Sequence, residues 1–530
     1  MDLQKWNIFT LLDNSFLQKL KTVCVFGNLG NEAILITMDD EVFAMGLNTS
    51  GCLGLGNVQS SLVPKKIEAL SGKQIKGLSY GSGPHVVAYN SLGEVFTWGQ
   101  NGYGELGNGL TNQSLVPTQV PQPLSGRVVI DVACGSHHTL ALTEEGEVFA
   151  WGWNNCGQVG SGIGSNQNGP RKVSASLGGK KIVSICCGQT SSMAVVDNGE
   201  VYAWGYNGSG QLGVGNNTNH TNPARVVGLC NVVIVKVVCG YAHTLALSDQ
   251  GELFAWGANT HGQLATDNKT SSYSPVHVAV DIGRVVDIAA SHYCHTSAAK
   301  NQNGVVFMWG QCLSQSVCTP TPTPYSSLYE VFACCSTPNV TWCPITVRCP
   351  QVSSIMDSMK MAFDDQNTSD LTIMVQKKPI YVHRAILKIR CQHFRSMFQE
   401  HWSESNGNVI ELDQFSYEVY KAFLQYLYTD QLDIAPEMAL EMLDLGNSYC
   451  ENNLKRRCEQ IITQGITIEN AAILYTTAIT YQAQDLEEFC FKFSLNHMTA
   501  FVQSSGFRSL EEATVKKFIL EAAKAGAFKT

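Results

Sequence analysis

At 530 residues and 57.7 kDa, with 44% apolar and 15% charged residues, the chain has material for more than one hydrophobic core. Its formal charge of −9 divides evenly, 18 basic against 21 acidic residues through position 350 and 17 against 23 after it, so neither half has the basic footprint of a direct nucleic-acid binder. No run approaches the roughly eighteen apolar residues of a membrane span, and Met1–Thr10 lacks the basic patch and apolar core of a secretory signal, which points to nucleus and/or cytoplasm.

From the front of the chain one phrase keeps returning: EVFAMG at Glu41–Gly46, then EVFTWG, EVFAWG, EVYAWG, ELFAWG and VVFMWG. These carry Trp98-Gly99, Trp151-Gly152, Trp204-Gly205, Trp256-Gly257 and Trp309-Gly310. The closing glycines are 53, 53, 53, 52 and 53 residues apart, the mark of one repeated structural unit. A second phrase precedes each, as in VACGSHHTLAL at Val132–Leu142. A third, Asn-x-x-Gly-x-Leu-Gly-x-Gly, starts at Asn48, Asn101, Asn154 and Asn207, and its copy at Asn259 decays after Leu264.

Segments such as VFAWG and HTLAL are short, rich in β-branched and aromatic residues and apolar on both alternating faces, which suits strands covered above and below. Glu145-Gly146 and Asp197-Asn198-Gly199 read as hairpin turns between them. A sheet of about four strands cannot bury two apolar faces alone, so successive sheets must stack, and a ring hides the edges of the stack. The expected architecture is an all-β propeller with blades of about 50 residues.

The WG, CGxxHTLAL and NxxGQLGxG phrases together resemble regulator-of-chromosome-condensation repeats, a family whose propellers have seven blades. Six full units span about 22–74, 75–127, 128–180, 181–233, 234–284 and 285–327, within a domain covering 1–350. A partial seventh covers 328–350, in which Val331–Trp342 reads as a worn copy of two strands and the N-terminus is a candidate source of the others; six versus seven blades stays open.

Gly102–Gly107 and Gly208–Gly213 fit GxGxxG after a strand, the pattern of a phosphate loop, but a polar loop running to Pro117 or Pro223 follows, not a helix able to hold pyrophosphate. These glycines are assigned to positive φ and to close approach between blades. His137, His138, His243, His292 and His295 recur around the ring and are read as structural, each satisfying a carbonyl of a neighbouring blade. The 19 cysteines are odd in number and irregularly spaced, without a CxxC pair, so reduced thiols are expected and no metal. With no HExxH, Walker A or GxSxG pattern either, no enzymatic activity and no cofactor are expected.

CTPTPTP at Cys318–Pro324 favours extended chain and is expected to connect blades or domains. Beyond it the pattern turns helical: Ile355, Met359 and Phe363 fall on one stripe of a helix over 352–363. Strands at Asp370–Val375 and Pro379–Val382, a helix pair over His383–Phe398, a short strand at Val409–Leu412, and helices over Ser416–Tyr428 and Pro436–Thr463 follow, an α+β order. Asp370, YVHRAILKIRCQHFRSMF at Tyr381–Phe398 and LQYLYTD at Leu424–Asp430 resemble a BTB/POZ domain, covering 352–463.

That resemblance implies homodimerisation through the helix bearing Ile355, Met359 and Phe363, structural roles for Asp370 and His383, and attachment to a cullin-3-type ubiquitin ligase scaffold. Trp402-Ser403-Glu404 fits the family's cullin-contact motif, an apolar residue, any residue, then glutamate before the short strand, and an exposed aromatic beside a charge has the makeup of an interface hot spot, although Phe398-Gln399-Glu400 fits the motif as well. The tail, 464–530, is similar to the BACK-like helices that follow such domains; Ala472, Tyr475 and Ile479, then Leu486, Phe489 and Phe493, recur at helical spacing on an αα-hairpin. The expected function is that of a non-enzymatic adaptor, with an unknown client protein on the propeller and ligase machinery on the BTB domain. The alternatives are guanine-nucleotide exchange on a small GTPase, a chromatin-associated regulator of the cell cycle, or a plain BTB scaffold.

Overall fold

The computed structural model describes residues 3–48, 50–121, 123–124, 126–278, 282–347, 355–398, 408–432 and 434–525, with the side chains of Leu11, Ile355, Met356, Asp357 and Pro436 apart. The chain divides into two units, Met1–Pro350 and Gln351–Thr530.

In the first unit, alternation of turn glycines with fully apolar strands produces six antiparallel sheets, each with its four strands hydrogen-bonded in chain order. The third is representative: Val129–Cys134, His138–Thr143, Val148–Gly152 and Gln167–Lys172. Its two middle strands are buried along their whole length, because the sheets on either side cover both faces. The inner strands of the second to sixth sheets line one central cavity, so the six sheets are blades of a propeller. Each outer strand is largely polar and carries a proline (Pro64, Pro117, Pro170, Pro223, Pro275, Pro320), which an edge tolerates and which discourages further strand pairing there. CTPTPTP is therefore not a linker between domains: Gln315–Pro322 is the outer strand of the sixth blade, with Phe307 opposite Pro322.

The reading of Val331–Trp342 as strands is corrected. Leu328–Cys334 is an α-helix, since Leu328, Val331, Phe332 and Cys335 repeat at i, i+3, i+4 and i+7 and all four are buried. The N-terminus contributes 3-10 turns, Leu3–Lys5 and Asn7–Leu11, not strands. Trp6 and Phe9 are buried with Val23, Val25, Ala333 and Ile345, and Lys5 pairs with Glu330 at 2.6 Å. The partial seventh repeat supplies a single short strand, Ile345–Thr346, which adds a fifth strand to the first blade beside Thr22 and Val23. Among the described residues the blades number six, the first with five strands and the other five with four.

The fifth copy of the Asn-x-x-Gly loop decays in sequence but not in geometry. Asn259 Oδ1 accepts from Leu264 N at 2.9 Å, and its amide donates to the carbonyls of Asn268 and Thr270 at 3.0 and 3.1 Å, as Asn154 does with Val159, Ile163 and Ser165. Where the fourth loop has Gly213 and Gly215 at φ 71° and 85°, the fifth holds Ala265 and Asp267 at 58° and 55°, a left-handed region costly to L residues. Ala265→Gly is expected to stabilise the unit by ~1 kcal/mol, read as a raised thermal midpoint; an unchanged or lowered midpoint refutes this strain.

In the second unit, Leu371–Val375 pairs antiparallel with Lys378–Val382 and parallel with Val409–Leu412. Helices Arg384–Arg390, Gln392–Met397, Tyr417–Thr429, Ala439–Ser448 and Asn452–Thr463 pack around that small sheet. The tail helices Ala471–Thr480, Gln484–Asn496 and Glu512–Lys524 join the same core, which runs without a break from Leu371 to Ala522. Buried Glu459 ties the tail in by accepting from Leu486 N at 2.8 Å, at the start of the second tail helix. Among the described residues no helix is long and apolar enough to cross a membrane, and every described cysteine is a free thiol.

Candidate functional site

The repeated tryptophans and histidines meet at the seams between blades. Trp204 Nε1 donates to the Gln158 carbonyl of the preceding blade at 2.9 Å, and Ser192 Oγ donates to the same oxygen at 2.7 Å. His138 of that preceding blade bonds Ser192 Oγ through Nε2 at 3.0 Å. Ser192 has one hydrogen and uses it on the carbonyl, so His138 must donate through Nε2, leaving Nδ1 as a buried lone pair that has no partner among the described residues. The same knot recurs with Trp309, Ser297, Gln263 and His243; Trp151 donates to the Glu105 carbonyl in the same way, but there His85 donates through Nδ1 to the Gly83 carbonyl at 2.8 Å, so its Nε2 accepts from Thr139 Oγ1 at 3.2 Å. Trp98 and Trp256 donate likewise to Cys52 and Gln211 carbonyls, at 2.6 and 2.9 Å. Gly99, Gly152, Gly205, Gly257 and Gly310, beside the tryptophans, all have positive φ.

Burial holds the imidazoles of His138, His243 and His292 down to about 3, so they are neutral. They cannot act as general bases near neutral pH. The second glycine phrase is likewise absorbed by a seam: a Cβ at Gly213 would stand 2.7 Å from Trp256 Nε1 of the next blade. The middle-strand hydroxyls were not singled out from the sequence, although Thr139, Ser192, Thr244 and Ser297 follow one another at the repeat interval.

Because His138 lies opposite Gly152, the turn before the second strand and the Asn loop after the third share one rim of the ring. There Tyr103, His137 and Trp153 form a mutual ring cluster with centroids 5.0 to 6.0 Å apart. Beneath it sits Glu105, wholly buried, where the next three blades have Gln158, Gln211 and Gln263. Burial pushes the Glu105 carboxyl up, but the bond to His137 Nδ1 at 3.0 Å and backbone N–H donors outweigh it, and the group lies below the ordinary carboxylate range. A buried carboxylate under partly exposed aromatics is a recognition surface more than a reaction centre. A second cluster, Tyr241, His261 and His295, lies on the same rim at the seam between the fifth and sixth blades. Among the described residues no group of three or more His, Cys, Asp or Glu is placed to hold a metal ion.

In the second unit Asp370 and His383 do not pair. Asp370 Oδ1 accepts from Arg384 N at 2.8 Å, capping the helix Arg384–Arg390 from the neighbouring strand, while His383 bonds the Tyr428 hydroxyl through its backbone N–H and Nδ1 at 2.6 and 2.9 Å. Asp430, left-handed at the end of Tyr417–Thr429, is held by Arg390 and Arg457 at 2.8 and 2.7 Å, a three-element clamp not anticipated from the sequence.

Residues 39–88 and 93–142 match the family model of the regulator of chromosome condensation (RCC1) repeat, 124–327 that of the RCC1-like domain, and 359–466 that of the BTB/POZ domain. The chain is a regulator-of-chromosome-condensation repeat and BTB/POZ domain protein. Over 272 residues it is 37% identical to the ultraviolet-B receptor UVR8 of Arabidopsis thaliana, an alignment covering 51% of this chain and 61% of that one. Over 271 residues it is 37% identical to the E3 ubiquitin-protein ligase HERC2 of Homo sapiens, covering 51% and 6%. Among solved structures, Prp20p from Saccharomyces cerevisiae aligns at 24% identity over 58% of this chain and 77% of that one, with a TM-score of 0.49. The chain thus spans less than two thirds of the length of these curated relatives.

Within the BTB/POZ domain the expected pairing helix is present as Ile355–Ala362. Met359 and Phe363 are half-buried against the domain's own core, Phe363 meeting the Tyr428 ring edge-on at 5.2 Å. The side chain of Ile355, and Trp402 and Glu404, expected from the sequence to contact a cullin, lie outside the described residues.

Proposed function

We propose that this repeat and BTB/POZ protein is a non-enzymatic adaptor. The propeller takes a client protein on the rim carrying Tyr103, His137 and Trp153. The BTB/POZ domain pairs two copies and, with its helical tail, recruits a cullin-type ubiquitin ligase scaffold. The observation that carries this reading is the union in one chain of a recognition ring with a BTB/POZ domain. Two further facts support it: the seams occupy the buried histidines and tryptophans, and the repeats align with part of an E3 ubiquitin-protein ligase.

A full-length Trp402→Ala, Glu404→Ala double variant is expected to recover at least about tenfold less cullin-3 from a lysate than the parent, with an unchanged melting temperature. Equal recovery refutes the cullin contact. Pairing is checked separately: light scattering of the full chain is expected to give twice the 57.7 kDa chain mass, and a monomer mass at micromolar concentration refutes it.

A further inference from the structure

We propose that Cys186 and Cys239 are a peroxide-oxidisable thiol pair that closes into a disulfide between the fourth and fifth blades, at the central cavity of the ring. Cys186 lies on the inner strand Ile182–Cys187 and Cys239 on the inner strand Ile234–Cys239, one repeat apart. Their sulfurs stand 3.0 Å apart in a thiol–thiol hydrogen bond. A disulfide of about 2.05 Å is therefore about 1 Å of side-chain movement away.

The cavity they face, about 280 Å³, is also lined by Cys134, Cys187 and Cys343, yet those thiols are engaged elsewhere. Cys187 points to the Ala133 carbonyl at 3.6 Å and Cys343 contacts the Tyr329 hydroxyl at 3.3 Å. The Cys134 thiol is raised to about 12 mainly by burial, and that residue's backbone N–H donates to Ser79 Oγ at 3.0 Å. Cys186 and Cys239 alone among them are paired with each other.

The oxidant is hydrogen peroxide, small and uncharged, which the cavity has room for. One sulfur attacks a peroxide oxygen; the O–O bond breaks, the thiol proton leaves with the departing oxygen as water, and a sulfenic acid remains. The second sulfur displaces the sulfenic hydroxyl, which leaves as a second water with that thiol's proton, and the S–S bond forms. Two sulfurs together lose two electrons and the peroxide gains them. The hydrogen bond to Cys239, together with burial, pushes the Cys186 thiol well above its ordinary range. Held as the thiol, Cys186 attacks peroxide slowly by itself, and closure calls for sustained peroxide. Closure ties two inner strands that otherwise meet only through packing and hydrogen bonds.

The test treats the full chain with hydrogen peroxide, alkylates remaining thiols and maps tryptic peptides without reductant. The expected result is a cross-link between peptides 182–225 and 237–269, with fragmentation placing the bond at position 186 rather than 187. It should disappear after dithiothreitol and in Cys186→Ser and Cys239→Ser, persist in Cys187→Ser, and accompany a raised melting temperature in the parent. Both thiols remaining alkylatable, oxidation of either to sulfinic acid without a cross-link, or a link surviving Cys186→Ser would each overturn the proposal.

Discussion

Acidification from pH 7 to pH 5 is expected to cost the propeller unit ~4–5 kcal/mol through three buried histidines, a third or more of the stability of an ordinary domain. His138, His243 and His292 are held to about 3 in the folded ring, chiefly by burial. In the unfolded chain each titrates near about 6.5. Below that value the unfolded state binds protons the folded state refuses, so the stabilisation is whole above pH 6.5 or so and is lost as pH falls toward 3. At pH 5 each histidine accounts for ~2 kcal/mol. Asp131, raised to about 6 by burial, works the other way, keeping its proton longer in the folded state, and offsets ~1 kcal/mol. The check is chemical denaturation of the full chain at pH 7, 6 and 5, with tryptophan emission reporting the blades. A midpoint that stays level across that range contradicts the neutral-histidine seams, and His138→Asn should flatten the dependence by one histidine's share.

Trp204→Ala is expected to destabilise the same unit by ~3–5 kcal/mol. The indole is wholly buried and packs in one cluster with Leu140 and Val159 of the third blade and Ile185 and Ala194 of the fourth. Its removal opens a cavity across the seam and takes away one of the two donors to the Gln158 carbonyl. Trp204→Phe, which fills most of the space but cannot donate, should cost ~1–2 kcal/mol. Trp153→Ala, at the half-buried rim two residues beyond the equivalent Trp151, should stay within about 1 kcal/mol. Denaturant midpoints for the three variants rank them, and hydrogen exchange should show the loss of protection centred on the third and fourth blades. If Trp153→Ala proves as damaging as Trp204→Ala, the distinction between seam and rim fails.

The repeat was legible because equivalent residues at an interval of 52 or 53 must occupy equivalent places. The strands of the sheet in the second unit were legible as well: apolar alternation at Leu371–Val375 and the turn before Lys378–Val382 leave little freedom locally. Misreading began where a short apolar run fits two periods. VFACC resembles the strand phrase VACG, but its neighbours Leu328 and Tyr325 had to be placed before the helical face became visible, and only packing against the sixth blade selects it. The prolines of CTPTPTP carried the same ambiguity, since extended chain is both a linker and an edge strand, and hydrogen bonds to Val306–Cys312 decide which.

Sequence alone determined the periodic order of strands, the near-balance of charge in the first unit and the succession of a β unit by an α+β unit, because composition and spacing act locally and need no partner. The tertiary structure alone decided which atoms the recurring side chains meet. The tautomer of His138, the bond of His137 to buried Glu105, the capping by Asp370 and the 3.0 Å approach of Cys186 to Cys239 all join residues 14 to 54 positions apart. Such contacts exist only once neighbouring blades or elements are packed, since hydrogen bonding and desolvation act over a few ångströms of space and take no account of distance along the chain.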